Sequence, residues 1–178
     1  DRTALYPFIG PPLVDSFSTF YGFSPEQARQ AVGRYREYFS RQGIFENELY
    51  PGIKELLENL KRHGVRILLA SSKPEVYARK ILEHFQLLPF FDFVAAATMD
   101  DPRSKKTDVV RYALESCGIS PDRAVMIGDR HHDIEGAKDN ALESIGVLWG
   151  YGRREELSAA GATRLAESVP QLASLLGL

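Results

Sequence analysis

Two carboxylates four positions apart, Asp129 and Asp133, close an apolar run in "AVMIGDRHHDIEGAKDN". Side by side, such charges repel each other unless something positive lies between them. Hard oxygen ligands in an open loop suit Mg²⁺, which binds through one or two carboxylates, keeps several waters and completes its shell with a substrate phosphate. Gly128 lets the backbone pass close to that point. The same pair reads equally well as structural caps, Asp129 on the turn and Asp133 on the following helix. His131 and His132, inside the loop, are expected to face solvent: neighbouring loop residues rarely aim at one ion, and no second His or Cys cluster completes a site.

Three further groups share this chemistry. In "LLASSKPE" Ser71 and Ser72 stand where a strand gives way to a helix, and hydroxyls beside the free N–H groups of a helix start make an anion site. Ser72 is also placed to cap that helix, with Glu75 completing a capping box. In "RSKKTDVVRY" Lys105 and Lys106 precede a helix, where a lysine turned inward neutralises a phosphoryl group; a Lys-Lys pair alone is more often a solvated loop. Asp100 and Asp101 follow "VAAA", and Gly150, Tyr151 and Gly152 follow "GVLW".

The elements that must position these groups alternate. From "YPGIKELLENLKRHG" onward, amphipathic helices take turns with short apolar runs at "VRILLASS", "FDFVAAA", "RAVMIGD" and "SIGVLWG". That alternation predicts an α/β fold with a parallel sheet and right-handed crossovers, its strands buried on both faces. Ligands of such sheets bind beyond the carboxyl ends of the strands, where the hydroxyls, carboxylates and glycines fall. The tail adds a helix, a short strand near Thr163 to Ala166 and a closing helix. Before Gly43 the pattern is helical with no strand. Ser24-Pro25-Glu26-Gln27 opens a helix whose stripe is Ala28, Ala31, Val32, Tyr35, Tyr38 and Phe39.

Bulk properties exclude several classes. Across 178 residues, 22 Lys and Arg balance 24 Asp and Glu for a net charge of -2, with no basic run interleaved with aromatics, so nucleic acid is an unexpected partner. The single Cys117 forms no internal disulfide and lies in an apolar helical pattern, which predicts a buried thiol in a reducing, cytoplasmic setting. Apolar runs are strand-sized and no charged-then-apolar leader is visible, so neither a membrane span nor a secretion signal is expected.

Taken in order, "ILLASS", "SKKTDVV" and "MIGDRHHD" resemble the second, third and fourth motifs of the haloacid dehalogenase superfamily of phosphohydrolases. "FIGPPLVDSF", "FENELYPGI", "GDRHHDIEGAKDN" and "SIGVLWGYGRREEL" place the likeness in its phosphoglycolate phosphatase-like branch, and it spans essentially the whole chain. The resemblance implies a Rossmann-like parallel sheet flanked by helices (47–178) and a small α-helical cap (1–46). It implies that Ser71 hydrogen-bonds the transferring phosphoryl, with Ser72 in the same phosphate-binding turn. Lys106 matches the lysine that stabilises charge on nucleophile and phosphoryl, with Lys105 the runner-up; Asp129 matches the direct Mg²⁺ ligand and Asp133 the acid supporting the metal. In the cap, Gly10 and Pro11 would approach the substrate. The implied function is Mg²⁺-dependent hydrolysis of a small phosphomonoester, phosphoglycolate-like or a nucleoside monophosphate, by a monomer or homodimer. The alternative is a non-catalytic, metabolite-binding member of the same fold.

One departure stands out. The family's first motif, a strand ending in Asp-x-Asp-Gly, supplies the nucleophile and the general acid, and no such sequence occurs; "MDDPR" follows the wrong strand. In the family fold that strand lies between those ending at Ser71 and Asp129. Its absence would leave two central edges unpaired, so additional N-terminal residues are expected in the natural protein.

Overall fold

The computed structural model describes residues 2–99, 103 and 105–178; Asp100 and Asp101 lie outside the described residues. Contacts divide the chain into a first unit ending at Glu48 and a second from Leu49 to Leu178.

The first unit is helical. A 3-10 turn over Arg2–Phe8 precedes α1 (Leu13–Tyr21) and α2 (Pro25–Phe39). Ser24 caps α2 as its sequence predicts: its Oγ accepts the Gln27 N–H at 3.3 Å while Gln27 Oε1 accepts the Ser24 N–H at 2.9 Å. Of the expected stripe, Ala28, Val32 and Phe39 are buried, whereas Tyr35 and Tyr38 are exposed. Gly10 and Pro11 form a half-buried bend just before α1.

The second unit begins with α3 (Ile53–Arg62), then runs β1 (Leu68–Pro74), α4 (Glu75–His84), β2 (Phe93–Ala97), α5 (Lys106–Cys117), β3 (Val125–Gly128), α6 (His131–Asp139), β4 (Glu143–Val147), α7 (Arg154–Ala160), β5 (Arg164–Ala166) and α8 (Val169–Leu175). All strand pairs are parallel, as the alternation predicts. Among the described residues the strands form two separate sheets, β1-β2 and β3-β4-β5.

Helices cover both half-sheets. The stripe of α3 splits its allegiance: Leu56 and Leu60 pack with Ile145, Val147, Ala166 and Leu172, while Leu57 packs with Ala78, Leu82, Val94 and Ala96. Each leucine so buried stabilises the fold by roughly 1.5–3 kcal/mol. Val109 and Ala113 of α5 pack on Ala95 of β2.

Two expectations need correction. Strands β2 and β4 are buried, with Ala95 and Ile145 at 0% exposure, but β1 is half-exposed throughout and Ile127 of β3 is 37% exposed. The cause is an apolar slot of about 820 Å³ between β1 and β3, lined by Leu68 and Ala70 on one side, Val125 and Ile127 on the other, with Leu57 of α3 and Val110 of α5 also on its walls. Strand β1 also starts later than expected and runs on to Pro74 through an irregularity after Ser71. Ser72 therefore caps nothing: Pro74 stands at the N-cap of α4 without a side-chain cap.

Candidate active site

Asp129 follows the last residue of β3, and Asp133 is the third residue of α6. The helix begins two residues earlier than the sequence suggests, so His131 and His132 are not loop residues but its first turn. The reason lies in Asp133, which is buried at 7% exposure. Its Oδ2 accepts the N–H groups of Asp129 and Arg130, both at 3.1 Å, satisfying backbone donors that a helix start leaves without partners. Gly128 makes that fold possible, since a Cβ there would lie 2.2 Å from the Asp133 Cβ.

The other oxygen of Asp133 meets a lysine. Lys106 Nζ lies 2.9 Å from Asp133 Oδ1 and also donates to the Ala70 carbonyl at 2.9 Å. One ammonium thus links Ala70 of β1, just before Ser71, to Asp133 in the first turn of α6. Both side chains of the ion pair are nearly buried, at 12% and 10% exposure, so the charges interact in a poorly screened setting. Of the two lysines, Lys106 opens α5 and reaches inward, while Lys105 is exposed. The stem of Lys106 runs over Gly136 of α6, where a Cβ would lie 2.7 Å from the Lys106 Cγ. Nothing in the spacing of "DIEGAKDN" announced that role for Gly136, because the contact joins two helices distant in sequence.

Asp129 is held differently. Its Oδ2 accepts the Tyr151 N–H at 2.8 Å. Burial pushes its pKa up and the neighbouring Asp133 charge adds to this, against the opposing pull of the Tyr151 amide. Such a carboxylate favours a cation beside it. Ser71 Oγ accepts the Lys73 N–H at 3.1 Å, which leaves its hydroxyl proton to donate. Ser72, also half-buried, is the next residue of β1. The β1–α4 corner, Lys106 and the β3–α6 loop therefore meet around one rim, and Gly10 and Pro11 belong to the separate helical unit.

Glu156 of α7 was not singled out by the sequence and proves central to the loop. It accepts from Arg130 Nε and His131 Nδ1, each at 2.8 Å, and from the His131 N–H at 3.0 Å. Burial alone would raise its pKa, but these donors outweigh that and hold it down at about 2. His132 is shifted down from the usual imidazole range, first by burial and then by the neighbouring His131 and Arg130.

A family model described as "Haloacid dehalogenase-like hydrolase" matches residues 1–147, which include every one of these rim residues except Tyr151 and Glu156. The chain belongs to the haloacid dehalogenase-like hydrolases. Within that family, a 5'-nucleotidase of Pseudomonas aeruginosa is 39% identical over 176 residues, covering 99% of this chain and 80% of that protein. The tyrosine-protein kinase PtkA of Mycobacterium tuberculosis is 37% identical over 172 residues; the chain is covered to 96% but spans only 58% of PtkA. The crystal structure of a predicted phosphatase from Clostridium acetobutylicum superposes with a TM-score of 0.97 at 46% identity, covering 100% of this chain and 83% of that one. No described helix of this hydrolase is long and apolar enough to cross a membrane.

Proposed function

We propose that the protein is a Mg²⁺-dependent phosphatase of small phosphomonoesters, acting through an aspartyl-phosphate whose nucleophile lies outside residues 1–178. The observation that carries this reading is the bridge made by Lys106, whose ammonium joins Ala70 of β1 to Asp133 beyond β3. It holds a fixed positive charge at the rim where a phosphoryl group would be transferred, the arrangement by which such transfers are accelerated. Ser71 would donate to a phosphoryl oxygen, and the backbone at Ser72 would help to seat it.

Asp129 would hold the metal. The donor set fits Mg²⁺: a carboxylate taken out of water, with a second carboxylate close by and no soft ligand at the same point. Bound there, Mg²⁺ supplies positive charge to the phosphoryl oxygens. Asp133 would serve the metal indirectly, since one of its oxygens is engaged by Lys106 and the other by two backbone amides.

The slot between β1 and β3 supports a nucleophile supplied from elsewhere in the sequence. Neighbouring strands lie about 4.8 Å apart, so one extended segment inserted between the two half-sheets would pair with both edges. Running parallel to them, it would end beside Ser71, Lys106 and Asp129. For the substrate, the 5'-nucleotidase relative favours a nucleoside monophosphate over a phosphoglycolate-like acid. The protein would work in the cytoplasm on free metabolites, as a monomer or homodimer. Screening the natural full-length protein against a panel of phosphomonoesters with and without Mg²⁺ tests this. Turnover of nucleoside monophosphates that stops on chelation is expected, and tight binding without turnover would instead favour a metabolite-binding regulator.

A further inference from the structure

The first five residues of α6 bring together three side chains to which the phosphatase reading assigns no role. A ring nitrogen of His131, a ring nitrogen of His132 and a carboxylate oxygen of Glu135 all lie within 4.8 Å of one another. The two imidazole rings have centroids 3.7 Å apart and are inclined at 43°. Helical spacing explains the grouping, because Glu135 follows His131 by four residues and His132 by three, so both pairs share a face. His132 Nδ1 already faces Glu135 Oε2 at 4.0 Å.

A second observation concerns orientation. Glu156 lies 2.8 Å from His131 Nδ1 and, as a carboxylate, only accepts, so the proton of a neutral His131 sits on Nδ1 and the lone pair on Nε2. A carboxylate that fixes one ring nitrogen while the other binds an ion is how metal-ligating histidines are held. Glu156 is itself anchored by Arg130 Nε at 2.8 Å. The ring is thus set before any ion arrives.

We infer that His131, His132 and Glu135 form a second metal site, suited to a borderline transition ion such as Zn²⁺ or Co²⁺. Two imidazoles and a carboxylate with an open fourth position are the donor set such ions take, and they differ in kind from the oxygen ligands at Asp129. Bonds of about 2.1 Å would bring the donor atoms to roughly 3.4 Å apart, closer than they now stand. Small rotations of His132 and Glu135 achieve this around the fixed His131 ring, since their side chains are 29% and 55% exposed. The positive end of the helix and Arg130 oppose a cation here, and the charges of Glu135 and Glu156 offset them.

The inference is independent of the phosphatase reading and is tested by binding alone. Metal-free protein would be titrated with Co²⁺ in excess Mg²⁺, which would compete for any oxygen-ligand site, and followed by visible absorption; Zn²⁺ would be followed by calorimetry. A Co²⁺ spectrum with nitrogen ligation is expected, retained in Asp129→Ala and lost in both His132→Ala and Glu135→Gln. Glu156→Gln should weaken binding by roughly 10–100-fold, the usual cost of removing the group that orients a ligand. Absence of Co²⁺ binding in the natural protein would overturn the inference, as would binding unchanged in His132→Ala and Glu135→Gln, or binding abolished by Asp129→Ala. Circular dichroism of each variant separates lost ligation from lost folding.

Discussion

A carboxylate drawn out of water at the tip of a strand costs free energy until a cation joins it, and Asp129, whose pKa burial raises, is such a group. An acid with a raised folded-state pKa contributes stability at low pH that is lost as pH rises through that value. At neutral pH, therefore, Asp129→Asn should raise the melting temperature of the metal-free protein, because the amide keeps the Tyr151 hydrogen bond without the buried charge. Mg²⁺ should raise the melting temperature of the natural protein and leave that of the variant unchanged; a variant that melts lower without metal would contradict this account. Lys106 stands in the opposite position. Lys106→Ala should lower kcat on an aryl phosphate by about 10²–10³, the scale of losing one preorganised charge. It should also cost about 3 kcal/mol in denaturant unfolding, since Asp133 is left buried without its cation. Lys105→Ala, at an exposed position, should do neither. Glu156 gives the pH signature: with its pKa depressed from 4.5 to about 2, it contributes stability above pH 4.5 that drains away as pH falls toward 2. Acid unfolding followed by circular dichroism should be less steep across that window in Glu156→Gln than in the natural protein.

Elements carry these groups to the rim by close packing, and here the sequence was uneven as a guide. The alternation of helices and strands in the second unit was legible because apolar periodicity reports burial directly. So was the capping box at Ser24, which is local. Asp129 falls just past β3, as the strand pattern predicts, while Lys106 opens α5 one residue before the pattern starts that helix. What escaped was anything decided between elements. The start of α6 at His131 depends on Asp133 reaching back to the amides before it, which moves the boundary by two residues and turns two apparent loop histidines into a helix face. Glu156 joins the site only because α7 returns to α6. Gly136 belongs to the same class: it looks like a weak point in a short helix, yet it is where Lys106 crosses. Gly136→Ala would gain helix propensity of about 1 kcal/mol but place a methyl 2.7 Å from the Lys106 Cγ and 3.2 Å from its backbone carbon. Overpacking of this kind costs about 1–3 kcal/mol, and the displaced lysine would lose its reach to Ala70 and Asp133. Reduced melting temperature together with reduced kcat is the expected result; a stabilised, fully active variant would mean that Lys106 has another route to the rim.

At the scale of the whole molecule, the unusual feature of the second unit is a sheet in two pieces, with apolar side chains turned toward the space between them. Parallel sheets ordinarily bury both faces and leave no such edge in their middle. The slot of about 820 Å³ is bounded by β1, which carries Ser71, and β3, which precedes Asp129. If an extended segment fills it in the working protein, Ile127 is a core residue, although it is 37% exposed in residues 1–178 alone. The two situations predict different costs for one substitution. With the slot open, Ile127→Asp meets water and should change stability by no more than about 0.5 kcal/mol. With the slot filled, the same change buries an unpaired carboxylate and should cost about 3 kcal/mol or more. Denaturant unfolding of the natural full-length protein and its Ile127→Asp variant separates these outcomes, and the larger loss is expected. A negligible loss would leave the slot open, and with it Lys106 and Asp129 without the strand that the aspartyl-phosphate route requires.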